Sequence, residues 1–173
     1  IEQEEKYNIE GIVDLPEKRG EKILGYEIRW TDREIPKLIG NNYSFFITLG
    51  QLRSAKRRIE LFELLKRLNQ TLPIILSPVA YISRHATIKE GTIIMHRAIV
   101  NAGASIGANC IINSKALIEH DAIVGDNCHI STGAIVNGGV KIGRGTFFGS
   151  GAVSKQNICI PEDSFIKANS IIN

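Results

Sequence analysis

Apolar residues fall in two different rhythms along this chain. Up to residue 77 they come in short blocks. "IEGIVDL" (9–15) and "SFFITLG" (44–50) read as buried strands, each ending in a turn or polar signal. Between Ser54 and Asn69, Ala55, Ile59, Phe62 and Leu65, with Leu61 and Leu68 beside them, recur at helical spacing. Lys56, Arg57, Glu60, Glu63 and Arg67 fill the opposite face. "LPIIL" (72–76) reads as a further short strand before Pro78. Strand, helix, strand predicts a parallel βαβ arrangement.

From Ile82 onward the period is six. Ile82, Ile88, Ile94, Val100 and Ile106 begin a series that continues to Ile172, with Ser154 as its only non-apolar member. Four residues after each stands a smaller residue, beginning Ala86, Thr92, Ala98, Ala104 and Cys110, with Ile158 the only bulky member. This hexapeptide repeat predicts a parallel β-helix: each unit is a short strand plus a corner, and three units close one coil. The aliphatic residue points into a narrow prism and the second position must stay small. Coils stack because none can bury its core alone. Residues one coil apart then lie above one another, as Cys110 and Cys128 do. Two small buried thiols are expected there rather than a disulfide.

Two domains are therefore expected, residues 1–77 as an α/β unit and 78–173 as the β-helix, about five coils long. The chain opens at Ile1 without Met and stops at "SIIN" inside the repeat, so further material is expected at both ends.

Composition adds mainly exclusions. A net charge of +3 is too small to argue for nucleic acid, and the basic run "RSAKRRIE" (53–60) reads as a solvated helix face. No apolar run approaches the ~18 residues of a membrane span and no signal peptide is recognisable, so a cytoplasmic protein is expected. Three cysteines without CxxC spacing give neither a zinc site nor a disulfide framework.

The repeat is interrupted at "ALIEHDAIVG" (116–125), where His120 and Asp121 stand side by side. His120, His129 and Asn113 all lie outside the two inward positions. They should project from the prism, toward solvent or a neighbouring subunit. His120 and His129 are one and a half units apart, so one prism puts them on different faces or corners. They could converge only if a neighbouring copy supplied one.

The run "NSKALIEHDAIVGDNCHISTGAIVNGGVKIG" (113–143), with "IEH[DE]", then "HIS", then "VKIG", resembles sugar O-/N-acetyltransferases. These are enzymes of the sialic acid O-acetyltransferase and nucleotide-linked 4-amino-sugar N-acetyltransferase type. "GIVDL", "ILGYEI" and "FFITLG" before a basic helix are similar to that family's N-terminal nucleotide-binding half. The resemblance implies a Rossmann-like N-terminal domain, a left-handed β-helix and a homotrimer with its active site between prisms. The substrates it implies are acetyl-CoA and a nucleotide-linked amino sugar.

By the same resemblance His120 is the general base and Asp121 the acid that orients it and raises its basicity. An amine must lose a proton as it attacks a thioester carbonyl, and an imidazole titrating near neutrality suits that step. His129 matches a contact to the pantetheine arm, and Asn113 a polar residue near the base. Gly138 stacks one coil after His120, where its N–H could meet the thioester oxygen. Ser150 and Ala168 match positions lining the acetyl-CoA channel, although the family tends to have Gly at the latter. Asp14 matches an acid that reads the nucleotide, and Gly50 a phosphate approach before the helix. The family's glycine loop would lie upstream of Ile1. Direct attack is expected, since Cys110 and Cys128 belong to the packed interior. O-acetylation of sialic acid or another hydroxyl is the alternative. A non-catalytic scaffold or a zinc carbonic anhydrase relative is the rival from another class, and no three of the four histidines show the spacing a zinc site needs.

Overall fold

The computed structural model describes residues 1–2, 6–51 and 54–173. Arg53 of the basic run lies outside the described residues. The chain separates into two compact units, Ile1–Ser44 and Phe45–Asn173. The division thus falls at 44/45 rather than at the 77/78 boundary expected from the sequence.

In the first unit, β1 (Ile12–Val13) pairs in parallel with β3 (Tyr26–Trp30), and β2 (Lys22–Ile23) pairs antiparallel on its other side. Ile28, at the centre of β3, is fully buried. A capping box at Thr31 and Glu34 then turns the chain into the short α1 (Ile35–Leu38).

The second unit is a parallel β-helix with a cover. Two-residue strands stack in three sheets of six, six and five. Each strand pairs with its equivalent one coil later, as Ile111 with His129 and Ile112 with Ile130. Strand residues at the six-fold positions point inward; the residue before each points outward. The interior is dry and continuous. Ile94, Val100, Ile106, Ile112, Ile118, Ile130, Val136 and Phe148 show no exposed surface, and nor do Ala98, Cys110, Ala116, Ala122, Cys128 and Ala134 between them. Ser154, the polar exception, is accommodated because its Oγ accepts from the Asn137 N–H at 2.9 Å. Cys110 and Cys128 are free and buried, their thiols donating to the carbonyls of Gly125 and Gly143.

A third periodic position shapes the corners. From Gly91 to Asn169 every sixth residue has a positive φ, between 53° and 75°. Only Arg97 and Lys115 among them are neither Gly, Asn nor Asp, the residues that tolerate this conformation.

Two sequence expectations change here. Ile75–Leu76, read as a strand of the α/β half, is the first strand of the β-helix and pairs with Ile93–Ile94. Leu76 and Ala80 simply extend both repeat positions one unit earlier. Residues 44–50 form no strand, because side chains replace the ladder. The carbonyls of Ile47 and Leu49, on one edge of an extended backbone, both accept from Arg58. Arg58 lies on α2 (Lys56–Arg67) and is buried. Residues 45–72 belong to the β-helix unit, and α2 follows the predicted helix closely at either end.

Candidate active site

The corner that follows the 117–118 strand carries His120 and Asp121. Asp121 occupies the positive-φ position (φ 59°), which a short acidic side chain accepts at little cost. Its Oδ2 accepts from His120 Nδ1 at 3.0 Å, and both side chains are well exposed. The hydrogen bond and charge of Asp121, with a smaller contribution from Glu119, raise the imidazole above its ordinary pKa. Glu119 Oε2 also accepts from the His120 N–H and from Asn101 Nδ2. With Nδ1 committed to the carboxylate, the neutral ring presents the lone pair of Nε2. That nitrogen faces Gly138, one coil on: a Cβ there would stand only 2.7 Å from it. The Gly139 N–H donates to the His120 carbonyl, so the two corners are locked in register. Gly138 is thus beside His120, where the repeat placed it.

The second candidate cluster sits at another corner, after the 111–112 and 129–130 strands. Asn113 is half-buried and directed at His129 rather than at His120 or Asp121: its Nδ2 lies 3.3 Å from His129 Nε2. His129 projects from the prism as expected but is largely covered. Residues 45–72 cover this face. His129 Nδ1 donates to the Gln51 carbonyl at 2.7 Å, the ring meets Phe147 edge-on, and 7 % of the residue remains exposed. Burial, with Arg58 nearby, pushes its pKa below the ordinary value. Ser150 is exposed and shares a hydrogen bond of 2.8 Å with Ser131. Ala168 stands one coil above it, tied through the Asn169 N–H to the Ser150 carbonyl. Asn113, Ser150 and Ala168 therefore follow one edge of the sheet that runs from the 81–82 strand through 117–118 to 171–172, the middle sheet, while His120, Asp121 and Gly138 follow the other.

Asp14 and Gly50 are carried by separate units. Asp14 follows β1, and its carboxylate is engaged locally by the Leu15 N–H at 2.7 Å and by Lys18 at 3.1 Å. The Leu15 bond is the main cause of its lowered pKa. Gly50 lies in the extended segment before α2, exposed and with open space at its α-carbon.

Arg58 carries no mark in the hydropathy pattern. The charge of its neighbours marked 56–60 as a solvated face, yet Arg58 falls on the buried side of α2. It binds the carbonyls of Ile47, Leu49 and Asn109 and the side chain of Asn109. The only signal in the sequence is its spacing from Ala55 and Leu65. Burial pushes its pKa down to about 10. The interior thiols offer no nucleophile: hydrogen bonding to Cys110 and burial push Cys128 up.

With this geometry defined, known proteins can be compared. Residues 85–120 and 121–153 match the family described as "Bacterial transferase hexapeptide (six repeats)". Among solved structures the chain is similar to the acetyltransferase domain of PglB from Neisseria gonorrhoeae FA1090 (TM-score 0.88, 25 % identity, 94 % of this chain and 78 % of that one). The same domain is known in complex with acetyl coenzyme A. A variant of perosamine N-acetyltransferase from Caulobacter crescentus, in complex with CoA and GDP-perosamine, is similarly close (TM-score 0.87, 26 % identity, 94 % and 76 %). WeeI from Acinetobacter baumannii AYE shares the fold at 16 % identity (TM-score 0.70, 99 % and 87 %). No curated protein sequence matches the chain.

Proposed function

We propose that this chain transfers the acetyl group of acetyl-CoA to the amino group of a nucleotide-linked 4-amino sugar. The observation that carries the reading is the exposed His120, bound at Nδ1 by Asp121 and with Nε2 facing space that the absence of a side chain at Gly138 leaves free. In this reading the neutral amine attacks the thioester carbonyl while His120 Nε2 takes its proton. The imidazolium that forms is stabilised by Asp121. The Gly138 N–H donates to the thioester oxygen as it gains charge. The tetrahedral intermediate then expels the CoA thiolate, which leaves with a proton as free thiol. The solved neighbours that hold CoA with GDP-perosamine, or acetyl coenzyme A, support this choice of substrates.

The finer features belong to the same proposal. The prism winds left-handed. His129, Asn113, Ser150 and Ala168 serve the arm of acetyl-CoA. Residues 1–44 act as a Rossmann-like nucleotide-sugar domain in which Asp14 contributes contacts, Gly50 offers a phosphate approach before α2, and the β-helix carries out acetyl transfer. The parallel pairing of β1 with β3 is the part of an α/β topology that supports this. The protein works as a homotrimer. Support comes from the outward residues of the middle sheet, Tyr81, Ile99, Leu117, Ile135, Val153 and Ile171. All are apolar or aromatic, whereas the third sheet presents Thr87, Ser105, Lys141 and Cys159 beside a single aliphatic, Ile123. The apolar sheet runs between the two candidate clusters, so a second prism against it would bring His120 of one copy toward the Asn113 edge of another. Among the described residues no helix is long and apolar enough to cross a membrane, and the free Cys110–Cys128 column suits the cytoplasm.

The test is thiol release from acetyl-CoA against UDP- and GDP-linked 4-amino sugars and free sialic acid, with wild type and His120→Ala side by side. Turnover of an amino sugar that collapses in the variant supports the proposal. Turnover of hydroxyl acceptors alone assigns O-acetylation by the same base. Absence of turnover on every acceptor overturns the reading.

A further inference from the structure

The extended segment 47–51 and Arg58 play no part in the chemistry described so far, yet they converge on His129. Along this backbone the carbonyls of residues 47, 49 and 51 fall on one edge, since successive carbonyls of an extended chain alternate in direction. The first two accept from Arg58 Nη1, at 3.3 and 2.5 Å, and the third accepts from His129 Nδ1 at 2.7 Å. Arg58 is itself fixed from the β-helix side. Its Nη2 donates to the carbonyl and Oδ1 of Asn109, at 3.0 and 2.8 Å, and Asn109 Nδ2 donates on to Asn127. Gln51 is fixed as well, donating from Nε2 to the Gly145 carbonyl at 3.0 Å.

This arrangement determines which nitrogen of His129 holds the proton. A main-chain carbonyl can only accept, so Nδ1 carries the hydrogen. On the other side Asn113 Oδ1 accepts the Ser114 N–H at 2.7 Å, which turns its amide so that Nδ2 faces His129 Nε2. A donor facing Nε2 requires a lone pair there. Both sides of the ring therefore specify the neutral Nδ1–H form. The guanidinium of Arg58 and the burial of the ring oppose a second proton. Arg58 has neutral acceptors in place of a carboxylate, and its Nε, like Oε1 of Gln51, is buried without a partner among the described residues. An arrangement serving stability alone gains little from such a cation.

We infer that Arg58 is a positioning residue: by holding the 47–51 backbone in register it fixes His129 as a neutral ring whose Nε2 is only an acceptor, open to an N–H donor at the Asn113 edge. The group recognised there is a secondary amide or amine N–H of the ligand, which exchanges with Asn113 Nδ2. This inference rests on the proposed role of that edge in holding the acyl donor.

Imidazole nitrogen spectra of the intact, isotope-labelled protein test it without turnover. In the wild type His129 is expected to be neutral and protonated at Nδ1 around neutral pH. Arg58→Lys keeps the charge but replaces the planar fork with a point donor, and is expected to give a mixture of His129 tautomers. In turnover assays the same variant should raise KM for acetyl-CoA about tenfold while kcat changes less than about threefold, as expected for loss of uniform binding. If Arg58→Lys does not fold, Asn109→Gly makes the same comparison: it keeps the positive-φ backbone and removes the side-chain acceptor of the guanidinium. A wild-type His129 that is charged or protonated at Nε2 overturns the inference, as does a His129 spectrum unchanged in the folded variant. Absence of turnover with the expected spectra overturns the acetyltransferase reading alone.

Discussion

Gly138 and His120, one coil apart, leave no space for a side chain between them: a methyl group on Gly138 would stand 2.7 Å from Nε2 and 2.8 Å from Cε1. The glycine leaves the room in which the reacting atoms of the proposed transfer must lie.

Gly138→Ala should therefore lose activity without losing the fold. The added methyl forces the imidazole aside, and removal of a positioned general base costs roughly 10²–10⁴-fold in rate. We expect kcat/KM to fall toward that of His120→Ala, with the melting temperature changed little. Wild-type activity in Gly138→Ala would exclude Nε2 as the base.

Asp121→Asn separates charge from backbone geometry, because Asn also tolerates the positive φ of this corner. Losing the carboxylate lowers the His120 pKa, so the acid limb of the pH–rate profile should move to lower pH. The same shift sets a linkage. The raised folded-state pKa of His120 means that its stabilisation is fully present below the unfolded value of 6.5, and is lost as pH rises through the folded value. The wild type should exceed the variant in melting temperature by more at about pH 5 than at about pH 9. An equal difference at both would show that the pair does not titrate as described.

Arg97 and Lys115 occupy the positive-φ column with φ of 57° and 60° and exposed side chains. A left-handed residue with a Cβ costs about 1–2 kcal/mol, and Asn bears part of that less heavily. Arg97→Asn and Lys115→Asn should each stabilise the protein by about 0.5–1 kcal/mol in denaturant titrations. Lys115→Val should destabilise it.

Ile135→Glu places a charge mid-way along the apolar ladder of the middle sheet. If that sheet is the homotrimer surface, sedimentation of the variant should give a smaller species than the wild type, with the circular dichroism of the β-helix intact. Lys141→Glu, on the third sheet, should leave the sedimentation unchanged.

The prism was legible because its chemistry repeats. A narrow interior admits one aliphatic and one small side chain per unit, and Ile118 with Ala122 state that rule as plainly as any other pair. The positive-φ column was equally periodic, but Gly, Asn and Asp signal it through backbone freedom rather than hydropathy, so it went unread. The region before the prism was harder. Ile75 and Leu76 pair with Ile93 and Ile94 across a full coil; Leu76 and Ala80 continue the six-residue pattern, but an apolar block directly after a helix reads equally well as the closing strand of a βαβ unit. Residues 44–50 have a strand's composition but find a guanidinium where a neighbouring strand would be. Arg58 reads as one more cation in a basic run until its partner Asn109, far along the chain, is known. For the site, position told which side chains leave the interior: His120 and His129 both do. Whether a segment distant in sequence then covers them depends on how residues 45–72 pack, and only His129 is covered.

The stacking interval also limits how the molecule can change length. Each strand meets its equivalent one coil on. Adding or deleting a whole coil between Gln51 and His129 would therefore keep every side chain on its sheet, while shifting His129 by one strand spacing away from the Gln51 carbonyl. A single repeat unit would preserve both interior positions and the local hydropathy pattern, yet advance everything downstream by a third of a turn. His129 would leave the face that meets Gln51, and the corner bearing His120 would move off its edge of the apolar ladder. Length and phase are coupled, so the prism keeps its faces when it grows in whole coils and loses them with one extra unit that leaves its core well packed.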